Sequence, residues 1–168
     1  LEAMQALLPC DAVALLTLDG DGLVPLAVNG LSRDTLGRRF RIDEHPRFAL
    51  LLAAGGPLRI PADSPLPDPY DGLVEGVQGQ LEVHDCMGCP VQVGEKTWGL
   101  LTLDALDKER LSKVDLRDVQ AFASLAAATV SVVQRIKGLA LRAEDERQRA
   151  DTYRALAAEK AAPPTLIG

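Results

Sequence analysis

The residues best suited to chemistry in this chain are a set of carboxylates and a thiol spread over its middle. Asp68 and Asp71 stand in a proline-rich stretch, Cys86 and Cys89 form a Cys-x-x-Cys with His84 two residues ahead, and Asp104 closes an apolar run. Arg47 opens a helical pattern, and Tyr70 lies between the two aspartates. With Cys86 as thiolate, Asp68, Asp71, Asp104 and Cys86 would carry four negative charges, which cannot all be held in one pocket without a cation. A divalent metal together with Arg47 would bring that charge to about −1; mixed carboxylate and thiolate donors suit a redox-capable iron better than magnesium or calcium, and zinc is also compatible. Each residue has a plainer reading as well. Aspartates in turns bond their own backbone, and a lone strand histidine is commonly a satisfied core or rim residue. Residue type alone does not say whether these groups converge.

The Cys86-Met87-Gly88-Cys89 motif has the spacing of a zinc knuckle or a redox dithiol. A four-cysteine zinc site needs a second pair, and Cys10 is single. A redox dithiol of the thioredoxin type opens a helix, whereas Pro90 and a strand-like run follow here. In an extended chain residues three apart point to opposite faces. The motif therefore reads as one functional thiol or as two buried cysteines.

Positioning these residues falls first to the stretch from Ile60 to Gly72, whose four prolines exclude helix and central strand. Proline also removes unfolded-state freedom, so the stretch reads as a stiff polyproline arm with Asp68 and Asp71 on one face and Tyr70 beside them. Around it the pattern predicts a helix over residues 1–8, strands over 11–18 and 23–28 joined by a hairpin turn at Asp19-Gly20-Asp21-Gly22, and a loop or crossover over 30–41. Pro46 suits the first position of a helix that Gly55-Gly56-Pro57 ends, and residues 58–60 form a short strand. Strand-like pieces at 81–86, 89–93 and 97–103 follow. Ser112 to Asp115 resembles a capping box before a long helix. Leu116, Val119, Phe122, Ala126, Val130, Val133, Ile136 and Ala140 recur at three- and four-residue steps, the spacing of a packed face or a coiled-coil seam. Pro163-Pro164 would stop that helix. These elements predict an α+β domain with a mainly antiparallel sheet and a long terminal helix typical of a signalling connector.

The 168 residues suffice for one domain with an appendage. Eighteen Lys and Arg against 24 Asp and Glu give a net charge of −6, so no basic face for DNA or anionic lipid is expected. No apolar run is expected to reach the ~20 residues of a membrane span, and no signal peptide opens the chain. Three cysteines argue against a disulfide framework and for a reducing, cytoplasmic setting. The opening inside a helical pattern reads as a piece of a longer chain with its first helix truncated.

His45-Pro46-Arg47, Pro61-Ala62-Asp63-Ser64, Leu66-Pro67-Asp68-Pro69-Tyr70-Asp71-Gly72, His84-Asp85-Cys86 and Leu101-Thr102-Leu103-Asp104 together resemble one family. It is the N-terminal GAF domain of the NorR family, the nitric-oxide-responsive, sigma-54-dependent transcription activators of bacteria. The resemblance runs from about Cys10 to Val133 and implies a GAF fold, a central mainly antiparallel β-sheet flanked by helices. It implies a sensor domain over 1–138 and a helical linker over 139–168, with Thr165-Leu166-Ile167-Gly168 resembling the opening of the AAA+ ATPase domain that follows in that family. It further implies one mononuclear non-haem iron(II) that binds nitric oxide, with Arg47, Asp68, Asp71, Cys86 and Asp104 as the carried-over ligand assignments and Tyr70 and His84 lining the site. Arginine has no acceptor lone pair while protonated, which favours Arg47 as a neutralising neighbour of the metal. Cys89 takes what resembles an apolar position of the pattern.

The implied function is regulatory and non-enzymatic. The nitric-oxide-free domain represses the ATPase domain of the same protein, nitric oxide relieves this, and the terminal helices form a homodimer, with no nucleic acid or membrane bound by this stretch. Alternatives are a GAF module for an organic ligand such as a cyclic nucleotide, a dimerising spacer, and a methionine sulfoxide reductase using paired cysteines.

Overall fold

A computed structural model describes residues 1–75 and 85–161. The first element, α1 (Glu2–Leu7), is followed by a hairpin of β1 (Ala12–Asp19) and β2 (Gly22–Asn29). A 3-10 turn (Arg33–Gly37) and the two-residue β3 (Phe40–Arg41) occupy the stretch expected to be loop. Next come a second 3-10 turn (Ile42–Glu44), α2 (Pro46–Ala53) with proline in its first turn, and β4 (Leu58–Ile60). After the arm, β5 (Asp85–Val93) and β6 (Lys96–Ala105) form a second hairpin, and a 3-10 turn (Arg110–Lys113) leads into α3 (Leu116–Ala161). The strands form one antiparallel sheet in the order β3-β2-β1-β6-β5-β4. The α+β architecture with a mainly antiparallel sheet and a long terminal helix, expected from the pattern, is the one observed.

Strand alternation gives the sheet two apolar faces. Ala12, Ala14, Leu16, Leu100 and Cys86 face one layer with Phe48, Leu51 and Tyr70. Val13, Met87, Cys89, Leu101, Leu103 and Ala105 face the other with Met4, Leu111, Val119 and Ala123. The two cysteines of the Cys-x-x-Cys therefore lie in different layers, as an extended backbone requires.

Three expectations need correction. The pieces expected at 81–86 and 89–93 are, over the described residues, one strand that runs unbroken through Met87 and Gly88. Gly88 is there for space rather than for a turn: a Cβ on it would stand 2.7 Å from a Leu51 methyl of α2. The long helix starts three residues later than the capping box implied. Asp115 caps it by accepting the Arg117 N–H at 2.9 Å, while the Ser112 hydroxyl donates to the Glu109 carbonyl at 2.6 Å. The arm is a succession of turns, not a straight polyproline helix. Ser64 N–H donates to Pro61 O at 3.0 Å, Asp71 N–H to Asp68 O at 3.3 Å, and Leu73 N–H to Tyr70 O at 2.8 Å, with Gly72 at φ 76°. The stop expected at Pro163-Pro164, residues 81–84 of the expected strand, and the Thr165 to Gly168 motif lie outside the described residues.

The chain divides into two compact units, Leu1–Ala128 and Thr129–Gly168. In the first, α3 buries Val119 and Ala123. In the second, Val132, Ile136, Leu139 and Tyr153 are exposed, and Asp145–Arg149 and Asp151–Arg154 pair along the helix at 2.8 Å each. By length and composition α3 is apolar enough to cross a membrane, with a window of mean hydropathy 1.3 in which 11% of residues are buried. The same property belongs to core helices of globular domains.

Candidate metal centre

The centre is built on one row of the sheet. Ile60, Cys86, Asp104 and Ala12 are successive cross-strand partners, and the next row on the same face reads Leu58, Gly88, Thr102 and Ala14. Cys86 and Asp104 are thus fixed opposite each other by the β5–β6 register, with apolar residues on either side. The third group comes from the arm. Asp68 accepts the Tyr70 N–H at 2.8 Å through Oδ1, and this Asx turn carries its side chain inward. Ligand atoms of Asp68, Cys86 and Asp104 all lie within 4.8 Å of one another, and all three residues are buried.

Arg47 holds the arm in this position. Its Nε donates to Leu66 O at 2.8 Å and its Nη1 to Asp68 Oδ2 at 2.7 Å, an ion pair almost wholly out of solvent. Tyr70 is fully buried, with its hydroxyl 3.2 Å from Thr102 Oγ1. Its ring meets Phe40 and Phe48 edge-on at 5.8 and 5.6 Å, and His45 packs on Phe40 at 5.3 Å. These rings wall the site from water.

The electrostatics are those of an overcharged anionic pocket. Burial raises the Asp68 pKa to about 6, with a further push from Asp71 and partial opposition from the Tyr70 N–H and Arg47. Burial, then Asp68, raises Asp104 well above the carboxylate range. Burial, then Asp104 and Asp68, raises the Cys86 thiol well above its ordinary value. Cys86 and Thr102 lie near enough to Asp104 to draw its pKa partly back, yet neither completes a hydrogen bond, and both Asp104 carboxylate oxygens are buried without a partner. A buried carboxylate left so is costly and calls for a ligand. Three ionised donors against Arg47 leave two negative charges, the charge that one divalent cation balances. The residues present therefore fit a metal ion.

Of the residues singled out by sequence, the structure brings together Asp68, Cys86 and Asp104, with Arg47 and Tyr70 against them. Asp71 is exposed and lies outside the three-residue group, although its charge is felt at Asp68. His84 lies outside the described residues. Thr102 and the Phe40, Phe48 and His45 rings were not anticipated. The signal for Thr102 was available: Leu100, Thr102 and Asp104 share one strand face, and a hydroxyl interrupts an otherwise apolar run.

A family model for the GAF domain matches residues 1–130. The chain belongs to the GAF domain family. It is similar to the regulatory protein LuxO of Vibrio cholerae, 46% identical over 132 residues that cover 79% of this chain and 25% of that protein. It is similar also to the anaerobic nitric oxide reductase transcription regulator NorR of Serratia proteamaculans, 44% identical over 144 residues that cover 84% of this chain and 28% of that regulator. The chain thus spans about a quarter of the length of these curated relatives. Among solved structures, the GAF domain of a phosphoenolpyruvate-protein phosphotransferase from Coxiella burnetii superposes with a TM-score of 0.62 at 24% identity, covering 81% of this chain and 79% of that one. That likeness concerns the fold.

Proposed function

We propose that this GAF domain is the nitric oxide sensor of a sigma-54-dependent transcription activator, with a mononuclear non-haem iron(II) held by Asp68, Cys86 and Asp104. The observation that carries the reading is the Asp104 carboxylate, buried without a hydrogen-bonding partner beside a thiol and a second carboxylate. Similarity to a nitric oxide reductase transcription regulator supplies the signal. Iron(II) bound there would supply the electron-rich centre that nitric oxide ligates. Arg47 offsets anionic charge and fixes the arm through Leu66 and Asp68. Asp71, close enough to act on Asp68, is a further donor at the rim. Tyr70 and the phenylalanine rings exclude water, which strengthens every charge interaction inside.

The sheet supplies a route outward. Leu103 and Ala105 flank Asp104 in β6 and face the layer that packs on Val119 and Ala123 of α3. A shift of β6 at the site is therefore felt at the first turns of the long helix. In the full-length protein, a cytoplasmic dimer joined through its terminal helices, sensor domain 1–138 and linker 139–168 would hold the following AAA+ ATPase domain repressed until nitric oxide binds. Nitric oxide must favour one arrangement of these parts over the other for this to work. A methionine sulfoxide reductase reading finds no support in the cysteine pair, whose members lie in opposite layers.

The test is an anaerobic preparation loaded with iron(II), assayed for bound metal by mass spectrometry and for a new EPR signal on addition of nitric oxide. Cys86→Ala and Asp104→Ala should lose metal and signal, and Cys89→Ala should keep both. Full iron occupancy in Cys86→Ala would sink the assignment.

A further inference from the structure

We infer that Thr102 is a positioning residue for the centre, one link of a hydroxyl chain from Tyr70 to the Asp104 carboxylate. This rests on the metal reading above. Thr102 is fully buried, two residues before Asp104 on the same face of β6, and its Oγ1 lies 3.2 Å from the Tyr70 hydroxyl. A hydroxyl donates one proton and accepts through oxygen. When Tyr70 donates to Thr102, the Thr102 proton remains free to be given onward, and the acceptor next along the face is Asp104, both of whose oxygens lack a partner.

Apart from pairing with the buried Tyr70 hydroxyl, this hydroxyl meets no polar neighbour across the strands. Its cross-strand partners are Gly88 and Ala14, with no side chain beyond a methyl group, and Leu51 of α2 fills the space over Gly88. A valine would occupy the same volume in an apolar layer. Tyr70 in turn is set by the Asx turn that places Asp68, so one element fixes a ligand from the arm while its neighbour's hydroxyl, through Thr102, steadies a ligand from the sheet. Groups that bond a ligating carboxylate orient it and raise metal affinity, and their loss costs about 10–100-fold in binding. Thr102, backed by the Tyr70 hydroxyl, is placed to do this for Asp104.

The experiment titrates the purified protein with cobalt(II), whose thiolate charge-transfer and d–d absorption report the Cys86 bond and the geometry of the remaining donors. Thr102→Val should weaken cobalt binding about tenfold or more and shift the d–d bands while keeping the charge-transfer band, and Thr102→Ser should restore both toward wild type. Tyr70→Phe should give a smaller change in the same direction, and its combination with Thr102→Val should add little. Melting temperatures of the metal-free variants control for packing. Equal affinity and an unchanged spectrum in Thr102→Val would overturn the assignment of Thr102 alone. Absence of cobalt binding by the wild-type protein would overturn the metal reading and this inference with it.

Discussion

Cys86 and Asp104 face each other directly across β5 and β6, between Ile60 on one side and Ala12 on the other. Directly opposed side chains interact strongly, and two acidic groups in such a pair repel when ionised. The row is otherwise apolar and buried, so a valine and an isoleucine would serve the fold better. A local rule broken at a buried pair, with a second carboxylate aimed at it, is the pattern of a place where stability yields to function.

Removing the charge should therefore stabilise the metal-free domain while destroying the site. Asp104→Asn keeps the shape and deletes the charge that burial and Asp68 disfavour. We expect the metal-free variant to gain about 1–2 kcal/mol in denaturant unfolding at neutral pH, because the wild-type carboxyl ionises freely only in the unfolded chain. The same variant should bind no iron. A loss of stability in the metal-free variant would show that the Asp104 carboxylate is satisfied in solution.

The pH dependence of the metal-free domain follows from the buried carboxylates, Asp68 and Asp104, both raised chiefly by burial. The folded pKa of Asp68 is raised to about 6 from the ordinary 3.8. A raised folded pKa means that the folded state binds the proton more tightly, so this contribution is complete below pH 3.8 and lost as pH rises through 6. Exposed Asp21, Asp43 and Asp115 are held low by Arg39, Arg41 and Arg117 and act in the opposite sense at lower pH. Between pH 4 and 7 the melting temperature of the metal-free protein should fall, and Asp68→Asn should reduce the slope, the remainder coming from Asp104, whose pKa burial raises in the same direction. Metal binding requires the deprotonated donors, so the metal-loaded protein should show the reverse trend.

What the sequence made legible was set by local chemistry. The Asp19 to Gly22 hairpin, the Pro46 helix start and the opposite-facing cysteines depend on a few adjacent residues, and all appear where expected. The resemblance singled out Asp68, Cys86 and Asp104 across two strands and the arm. The arm's path was not legible, because Asp68 binds the Tyr70 N–H and bends it, which proline spacing alone does not reveal. The unbroken β5 was hidden for a similar reason: Gly88 reads as a breaker until Leu51 is seen above it.

Gly88→Ala should test that last point. The added methyl would meet Leu51, itself fully buried, at 2.7 Å, with two further Leu51 atoms at 3.1 and 3.2 Å. Overpacking of this kind costs about 1–3 kcal/mol. Leu51→Ala in the same chain makes room, so the double variant should be more stable than the sum of the two single losses predicts. Strict additivity in urea unfolding would mean that β5 or α2 moves aside without strain.

Asp85 precedes Cys86 at the same end of β5 and holds that end from the opposite face. Its fully buried carboxylate receives Arg59 Nε at 2.9 Å and Nη2 at 3.1 Å, and accepts the Leu111 N–H at 2.8 Å. It thereby ties β4 and β5 to the turn that feeds α3. Asp85→Ala strands the Leu111 N–H and the partly exposed Arg59, whereas Arg59→Ala strands a carboxylate that has no access to water. Breaking a buried pair costs about 3–5 kcal/mol, with the larger value where the remaining charge cannot reach solvent. Arg59→Ala should thus be the more damaging of the two in urea unfolding. Glu109, exposed and 3.3 Å from Arg59, contributes a surface ion pair, so Glu109→Ala should cost under about 1 kcal/mol. If Asp85→Ala proved as mild as Glu109→Ala, the carboxylate would be dispensable, and the turn into α3 would be held by the packing of Leu111 against Val119 and Ala123 instead.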